Sequence, residues 1–264
     1  MQDLKKLMIE TAQAAGDFIL QESKRFNSGS IEYKDVNNVV SYVDKQAERL
    51  IVGRLSAMGG GIGFITEEET AGTADRNGYN WIIDPLDGTA NFIHGVPHYS
   101  VSLALAKGKE VRAGVVHHVP AGETYWAMQG DGAWKGDRKL SVSPTTKLQE
   151  TLMATGFPYY RFEEMSKYIK VLEDLMQNTH GLRRFGSAAL DLAYVAEGRY
   201  DGFFEYNLNS YDMAAGVLLV REAGGTVTDF SGGDNFLFGG DVVAGGGSHT
   251  ELLEVIRKYW ADPA

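Results

Sequence analysis

The sequence predicts a layered α/β fold, and three observations carry that expectation. Apolar residues recur at helical spacing near both ends of the chain, short apolar runs alternate with turn signals over residues 99–140, and strand and helix patterns alternate beyond residue 150. The chain has 264 residues, enough for one large core, and no linker, internal repeat or low-complexity tract divides it. Residues 1–264 therefore read as one unit, with a soft internal division near 143–150.

Each element has its own signal. Leu4, Leu7, Met8, Ala14, Ala15, Phe18 and Ile19 define an opening amphipathic helix. Residues 27–40 mix turn formers with β-branched pairs, as a short hairpin does. Ser41-Tyr42-Val43-Asp44 has the form of a capping box, with Asp in place of the usual Glu, ahead of a helix running through Leu50, Ile51 and Leu55 to Gly59-Gly60-Gly61. Residues 62–65 and 79–83 are short apolar runs that each lead to acids, the pattern of buried strands presenting carboxylates at one sheet edge. Residues 99–140 read as an antiparallel meander punctuated by Gly108, Ala121-Gly122 and Gly130-Asp131-Gly132. There follow a strand at 152–155, helices at 165–176 and 187–196, a strand at 201–205, a helix at 212–222, two further strands and a closing helix at 250–260.

Composition narrows the chemistry. With 35 acidic against 25 basic residues the formal net charge is −10, and no Lys/Arg run builds a basic stripe, so no nucleic-acid partner is expected. The absence of cysteine removes disulfides, thiolate nucleophiles, iron–sulfur clusters and sulfur-ligated zinc, leaving oxygen and imidazole as metal donors. No stretch approaches the ~18 consecutive apolar residues of a membrane span, and the N-terminal segment carries Asp3, so a cytoplasmic protein without membrane attachment is expected.

The most informative segment is Trp81-Ile82-Ile83-Asp84-Pro85-Leu86-Asp87-Gly88-Thr89-Ala90-Asn91-Phe92. A buried strand delivers Asp84, Pro85 fixes the turn, Asp87 follows, and Gly88-Thr89 open a short helix. Two carboxylates so close, with the Leu86 carbonyl between them, suit a hard cation such as Mg²⁺, and the N–H groups after Gly88 suit a phosphate held against it. Taken separately, Asp-Pro and Asp-Gly are ordinary turn dipeptides; the joint spacing of Asp, Pro, Asp, Gly and Thr argues for more than a turn. Other candidates are weaker. His94 and His98 stand four apart, but Pro97 interrupts a helix there, and the glycine runs at 59–61 and 245–247 lack the Lys-Ser/Thr of a phosphate loop.

This segment resembles the D-P-[ILV]-D-G-T-x-N-F signature of the inositol monophosphatase family, of the lithium-sensitive, Mg²⁺-dependent phosphatases, and the resemblance spans roughly residues 34–225. Phe64-Ile65-Thr66-Glu67-Glu68 is similar to the family strand ending in Gly-Glu-Glu, and Asn209-Ser210-Tyr211-Asp212-Met213-Ala214-Ala215-Gly216 to its Trp-Asp-x-Ala-Ala-Gly. Residues 186–192 and 198–205 are similar to its substrate-pocket segment. Three positions depart from the pattern: Tyr211 for Trp, Thr66 for Gly and Asn38 for a frequent Asp.

The resemblance implies a five-layer αβαβα sandwich of the inositol monophosphatase and fructose-1,6-bisphosphatase type. It implies hydrolysis of inositol monophosphate or a similar small polyol phosphate, inhibited by lithium, in a homodimer with two or three Mg²⁺ ions. Glu67, Asp84, the Leu86 carbonyl, Asp87 and Asp212 are the implied metal ligands. Thr89, Asp44 and Glu67 are the implied catalytic residues, and Asp87, Gly88, Thr89, Ser187, Ala188 and Glu205 face the substrate. Esters with the same metal core, such as 3′-phosphoadenosine nucleotides, fructose bisphosphate, NADP or histidinol phosphate, remain alternatives, as does a non-catalytic Ca²⁺-binding module. Each residue also has a plainer reading: Glu67-Glu68-Glu69 as a solvated acidic surface, Asp212 as a helix N-terminal acid, Asp44 as a cap, Lys34 and Glu205 as surface charges.

Overall fold

The computed structural model describes residues 2–25, 31–35, 38–71, 74–75, 77–158 and 162–260. The opening apolar stripe becomes α1 (Gln2–Ser23), which buries Met8, Ala12, Ala15 and Ile19. The hairpin β1 (Ile31–Asp35) and β2 (Asn38–Ser41) leads into α2 (Tyr42–Ser56). These two helices pack side by side on one face of a seven-stranded sheet of order β3-β4-β5-β6-β7-β8-β9. Its strands are β3 (Gly63–Thr66), β4 (Tyr79–Asp87), β5 (Ser100–Lys107), β6 (Glu110–His118), β7 (Glu123–Met128), β8 (Gly132–Lys135) and β9 (Arg138–Lys139). Only β3 and β4 run parallel; from β4 onward the sheet is the antiparallel meander that the alternation over 99–140 predicted. The short helix α3 (Thr89–Ile93) joins β4 to β5.

The second sheet, of order β11-β10-β12-β14-β13, is built from β10 (Leu152–Thr155), β11 (Gly181–Arg183), β12 (Gly202–Glu205), β13 (Thr226–Thr228) and β14 (Val242–Gly245). Between the sheets lie α5 (Ala188–Ala196) and α6 (Ser210–Glu222), apolar almost all round, as a helix covered on two faces must be. Beyond the second sheet lie α4 (Met165–Asn178) and α8 (His249–Trp260), amphipathic and half exposed; α7 (Phe236–Gly239) bridges β13 and β14. The layers are thus helix pair, sheet, helix pair, sheet, helix pair. Three apolar clusters fill the spaces between them, the largest centred on α5 and α6.

Differences from the sequence reading are local. The strand read at 79–83 continues to Asp87, because its partner β5 extends alongside it. Strand β11 and helix α7 were not foreseen, having only three and four residues and no periodicity to detect. Among the described residues no helix is long and apolar enough to cross a membrane.

Candidate active site

Pro85 determines how the two aspartates of β4 lie. A proline cannot donate to the ladder, and the pairing passes from Asp84↔Ser102 to Asp87↔Ser100, three residues on β4 against two on β5. The extra residue is a bulge, which brings Asp84 and Asp87 to the same side of the sheet, where regular alternation would set them on opposite sides. Asp84 Oδ1 accepts the Leu86 N–H at 2.9 Å, closing the bulge on itself. Parallel pairing of β3 with β4 ends at Thr66↔Ile83, so Glu67 emerges beside Asp84, within hydrogen-bond reach of its carboxyl.

The loop carrying Glu67 is held by a residue the sequence reading passed over. Glu48 of α2 is fully buried and accepts the N–H groups of Glu68 and Thr70 at 2.8 Å each, together with the Thr70 hydroxyl at 2.7 Å. A glutamate inside a helix pattern gave no signal, since its partners lie about twenty residues on in a loop.

Gly88 begins α3 at φ 95°, and a Cβ there would lie 3.1 Å from the His98 carbonyl oxygen and 3.2 Å from that of Gly186, so both conformation and space require glycine. As at every helix start, the first N–H groups of α3 have no intrahelical acceptor. Thr89 Oγ1 lies 2.8 Å from Asp44 Oδ1 and 3.0 Å from the Leu86 carbonyl oxygen. Both neighbours are acceptors, so the single hydroxyl hydrogen is drawn to that side and the lone pairs of Oγ1 remain free. Asp44 is only 1% exposed, which sets it apart from a surface cap.

Asp87 lies against the start of α5. Ser187 Oγ donates to its Oδ2 at 2.5 Å and the Ala189 N–H at 2.9 Å, with the Ala188 N–H also directed at the carboxylate. Ser187 and Ala188, expected against the substrate, thus spend their donors on Asp87. Asp212, in the first turn of α6, accepts the Asn209 N–H at 2.6 Å, so the helix-terminal role and proximity to the other carboxylates coexist. The cap of α6 is Asn209. Tyr211 lies among Glu67, Asp84 and Asp212, and its phenol pKa is raised by burial and by those charges. Glu205 ends β12, half-buried. Lys34, Asn38 and Ser41 have side chains outside the described ones.

Two residues without a role in the sequence reading belong here. Asn91 donates to the carbonyls of His98 and Phe185 at 2.7 Å each, tying α3 to the segment before α5. Arg184 is the cation whose field acts on Asp87, Asp191 and Glu205. Its position two residues before Gly186-Ser187 was the available signal.

Burial pushes up the pKa values of Asp84 and Asp212 strongly, reinforced for Asp84 by Glu67 and for Asp212 by Asp87. The Asp87 carboxyl is raised to about 6 by burial, against the opposing hydrogen bonds from Ser187 and Ala189, and Glu205 to about 8 by burial. Carboxylates crowded together out of water are a donor set for a hard divalent cation, whose charge would reverse that repulsion. The residues fit such an ion in chemistry, although among the described residues no three acidic or histidine side chains converge on one point at ligand distance.

This crowding has a measurable consequence. The folded state holds protons on these groups above the pH at which the unfolded chain releases them. Stability from Asp87 and Glu205 is therefore complete below about pH 4 and is lost as pH rises through about 6 and about 8. Metal-free protein should melt at a lower temperature at pH 8 than at pH 5.5, and Mg²⁺ should raise the melting temperature more at pH 8. Thermal unfolding in chelator and in excess Mg²⁺ at the two pH values checks both; equal Mg²⁺ effects would count against an acidic metal centre.

Known proteins resemble this chain over nearly its whole length. The family model for the inositol monophosphatase family matches residues 1–261. An inositol-1-monophosphatase from Mesorhizobium japonicum is 40% identical over 256 residues, covering 97% of this chain and 96% of that one. A protein named Nus factor SuhB from Pseudomonas aeruginosa is 41% identical over 254 residues, covering 93% and 92%. The crystal structure of the extragenic suppressor protein suhB from Bartonella henselae superposes with a TM-score of 0.91 at 37% identity, covering 97% and 99%. The family uses metal ions, Mg²⁺ in general. The chain belongs to the inositol monophosphatase family, and its class of activity is that of a phosphoric monoester hydrolase.

Proposed function

We propose that the protein hydrolyses a small polyol phosphate, inositol monophosphate or a close relative, with Mg²⁺. The observation that carries this reading is the Thr89–Asp44 pair, a hydroxyl held by a buried carboxylate beside the acidic cluster. A Ca²⁺-binding module without turnover would leave that pair without use.

Glu67, Asp84, the Leu86 carbonyl, Asp87 and Asp212 are assigned as donors for two or three ions. Bound there, Mg²⁺ would neutralise the cluster and polarise the phosphoryl group. Thr89 Oγ1, its hydrogen drawn toward Asp44 and Leu86, accepts a hydrogen bond from the attacking water and orients it on phosphorus. Water oxygen bonds to phosphorus as the ester P–O bond breaks; one water proton moves by way of Thr89 Oγ1 toward Asp44 and the departing alkoxide takes a proton from water, giving the alcohol and inorganic phosphate. The N–H groups at Gly88 and Thr89 hold phosphoryl oxygens, Ser187 and Ala188 hold Asp87 in place, and Glu205 accepts from a substrate hydroxyl. Residues 1–264 act as one phosphatase unit, divided near 143–150 between its two sheets, as a cytoplasmic homodimer.

A phosphate-release screen against polyol, nucleotide, sugar bisphosphate and histidinol esters tests the assignment. Polyol phosphate is expected to give the highest kcat/KM, turnover is expected to vanish in chelator, and millimolar lithium is expected to inhibit. A nucleotide substrate favoured over every polyol would replace the substrate class while leaving the phosphatase.

A further inference from the structure

Glu205 ends β12, and Gly156 directly follows β10, the parallel neighbour paired with it from Met153↔Gly202 to Thr155↔Phe204. This register sets Gly156 beside Glu205. A Cβ on Gly156 would lie 2.1 Å from Glu205 Oε2 and 2.3 Å from both Cδ and Oε1, so the carboxylate rests in the space that any other residue would fill. The backbone on both sides is clamped from behind. The hydroxyl of Tyr168, a residue of α4 only 1% exposed, donates to the Gly156 carbonyl at 2.5 Å and stands 2.8 Å from Thr155 Oγ1. Thr155 Oγ1 in turn donates to the Phe204 carbonyl at 2.9 Å. Two buried hydroxyls thus couple the peptide before Glu205 to the peptide it rests against. On the open side, the Arg184 guanidinium lies 5.1 Å from the centre of the Phe157 ring, and its charge attracts the Glu205 carboxylate.

We propose that Gly156, with the Thr155–Tyr168 hydroxyl pair behind it, determines substrate choice by fixing Glu205 in the orientation from which its carboxylate meets a hydroxyl of the substrate alcohol. The inference rests on the reading of Glu205 as a hydroxyl acceptor and adds what holds it. Gly156, Thr155 and Tyr168 are positioning residues: they touch Glu205 or its backbone, and not the ester. The class selected is an ester whose alcohol carries further hydroxyls.

The test compares KM and kcat of Gly156→Ala, Tyr168→Phe and Glu205→Gln for inositol monophosphate and for an aryl phosphate without hydroxyls, in saturating Mg²⁺. The added methyl meets the far end of a flexible side chain, so the carboxylate should move and the backbone stay. Gly156→Ala is expected to raise KM for the inositol ester roughly tenfold, the worth of about one hydrogen bond, and to leave the aryl ester within about twofold. Tyr168→Phe should shift KM in the same direction by less. Thermal unfolding is measured alongside, and if Gly156→Ala does not fold, Tyr168→Phe carries the comparison. A selective Glu205→Gln with a positioning variant that harms both esters equally, or neither, overturns the inference and leaves the Glu205 reading standing. A Glu205→Gln that is itself unselective overturns both.

Discussion

Asp87→Asn is expected to lower turnover by ~10³ or more while leaving the fold intact. The asparagine oxygen can still accept from Ser187 Oγ and the Ala189 N–H, so the start of α5 keeps its partner and no volume changes. The negative charge is what disappears, from a carboxylate already raised to about 6 by burial. Removing it relieves repulsion on Asp212, so the variant should melt no lower than the parent in chelator and gain less from Mg²⁺. Phosphate release and thermal unfolding, with and without Mg²⁺, are the measurements. Near-native turnover would remove Asp87 from the mechanism.

Thr89→Val should reduce kcat by ~10²–10³ with little change in KM, and Thr89→Ser should recover most of it. Valine keeps the β-branched shape and loses the hydroxyl that lies 2.8 Å from Asp44 Oδ1, whereas serine keeps the oxygen. The loss therefore falls on orienting the nucleophile, not on binding the ester. Asp44→Asn should do similar damage, since an amide can still accept the hydroxyl hydrogen but no longer supports proton movement toward it with a full charge. A double variant no worse than either single one would show that the two act as one unit; additive losses would separate them. Unchanged kcat in Thr89→Val would leave the pair a structural bond only.

Much of this was legible in the residues, for reasons that can be named. The segment from Asp84 to Thr89 is readable because its geometry is local: a proline-forced bulge and a glycine-started helix are set by adjacent residues. The meander is readable because alternation and turn glycines are also local signals. What could not be read is what arrives from far along the chain. Glu48 holding the Glu67 loop, Ser187 holding Asp87 and Gly156 yielding room to Glu205 are contacts between elements distant in the sequence, invisible to any window of neighbouring residues. The same holds for β11 and α7, which exist because neighbours already in place give three or four residues something to pair with.

The bond between Asp87 and Ser187 spans 100 residues, and Asp212 joins the cluster later still. A ribosome delivers this chain from one end. The seven-stranded sheet is complete in sequence by Lys139, with Asp84 and Asp87 already on it but the start of α5 and Asp212 not yet made. During synthesis the first half therefore shows the face that α5 and α6 later cover, Asp87 lacks its donors Ser187 and Ala189, and the cluster lacks its last carboxylate. Domains form in the order in which they emerge, and contacts of long sequence separation come last. The arrangement assigned to catalysis is thus closed off by the final third of the chain, so an incomplete product carries an exposed apolar sheet and no finished centre.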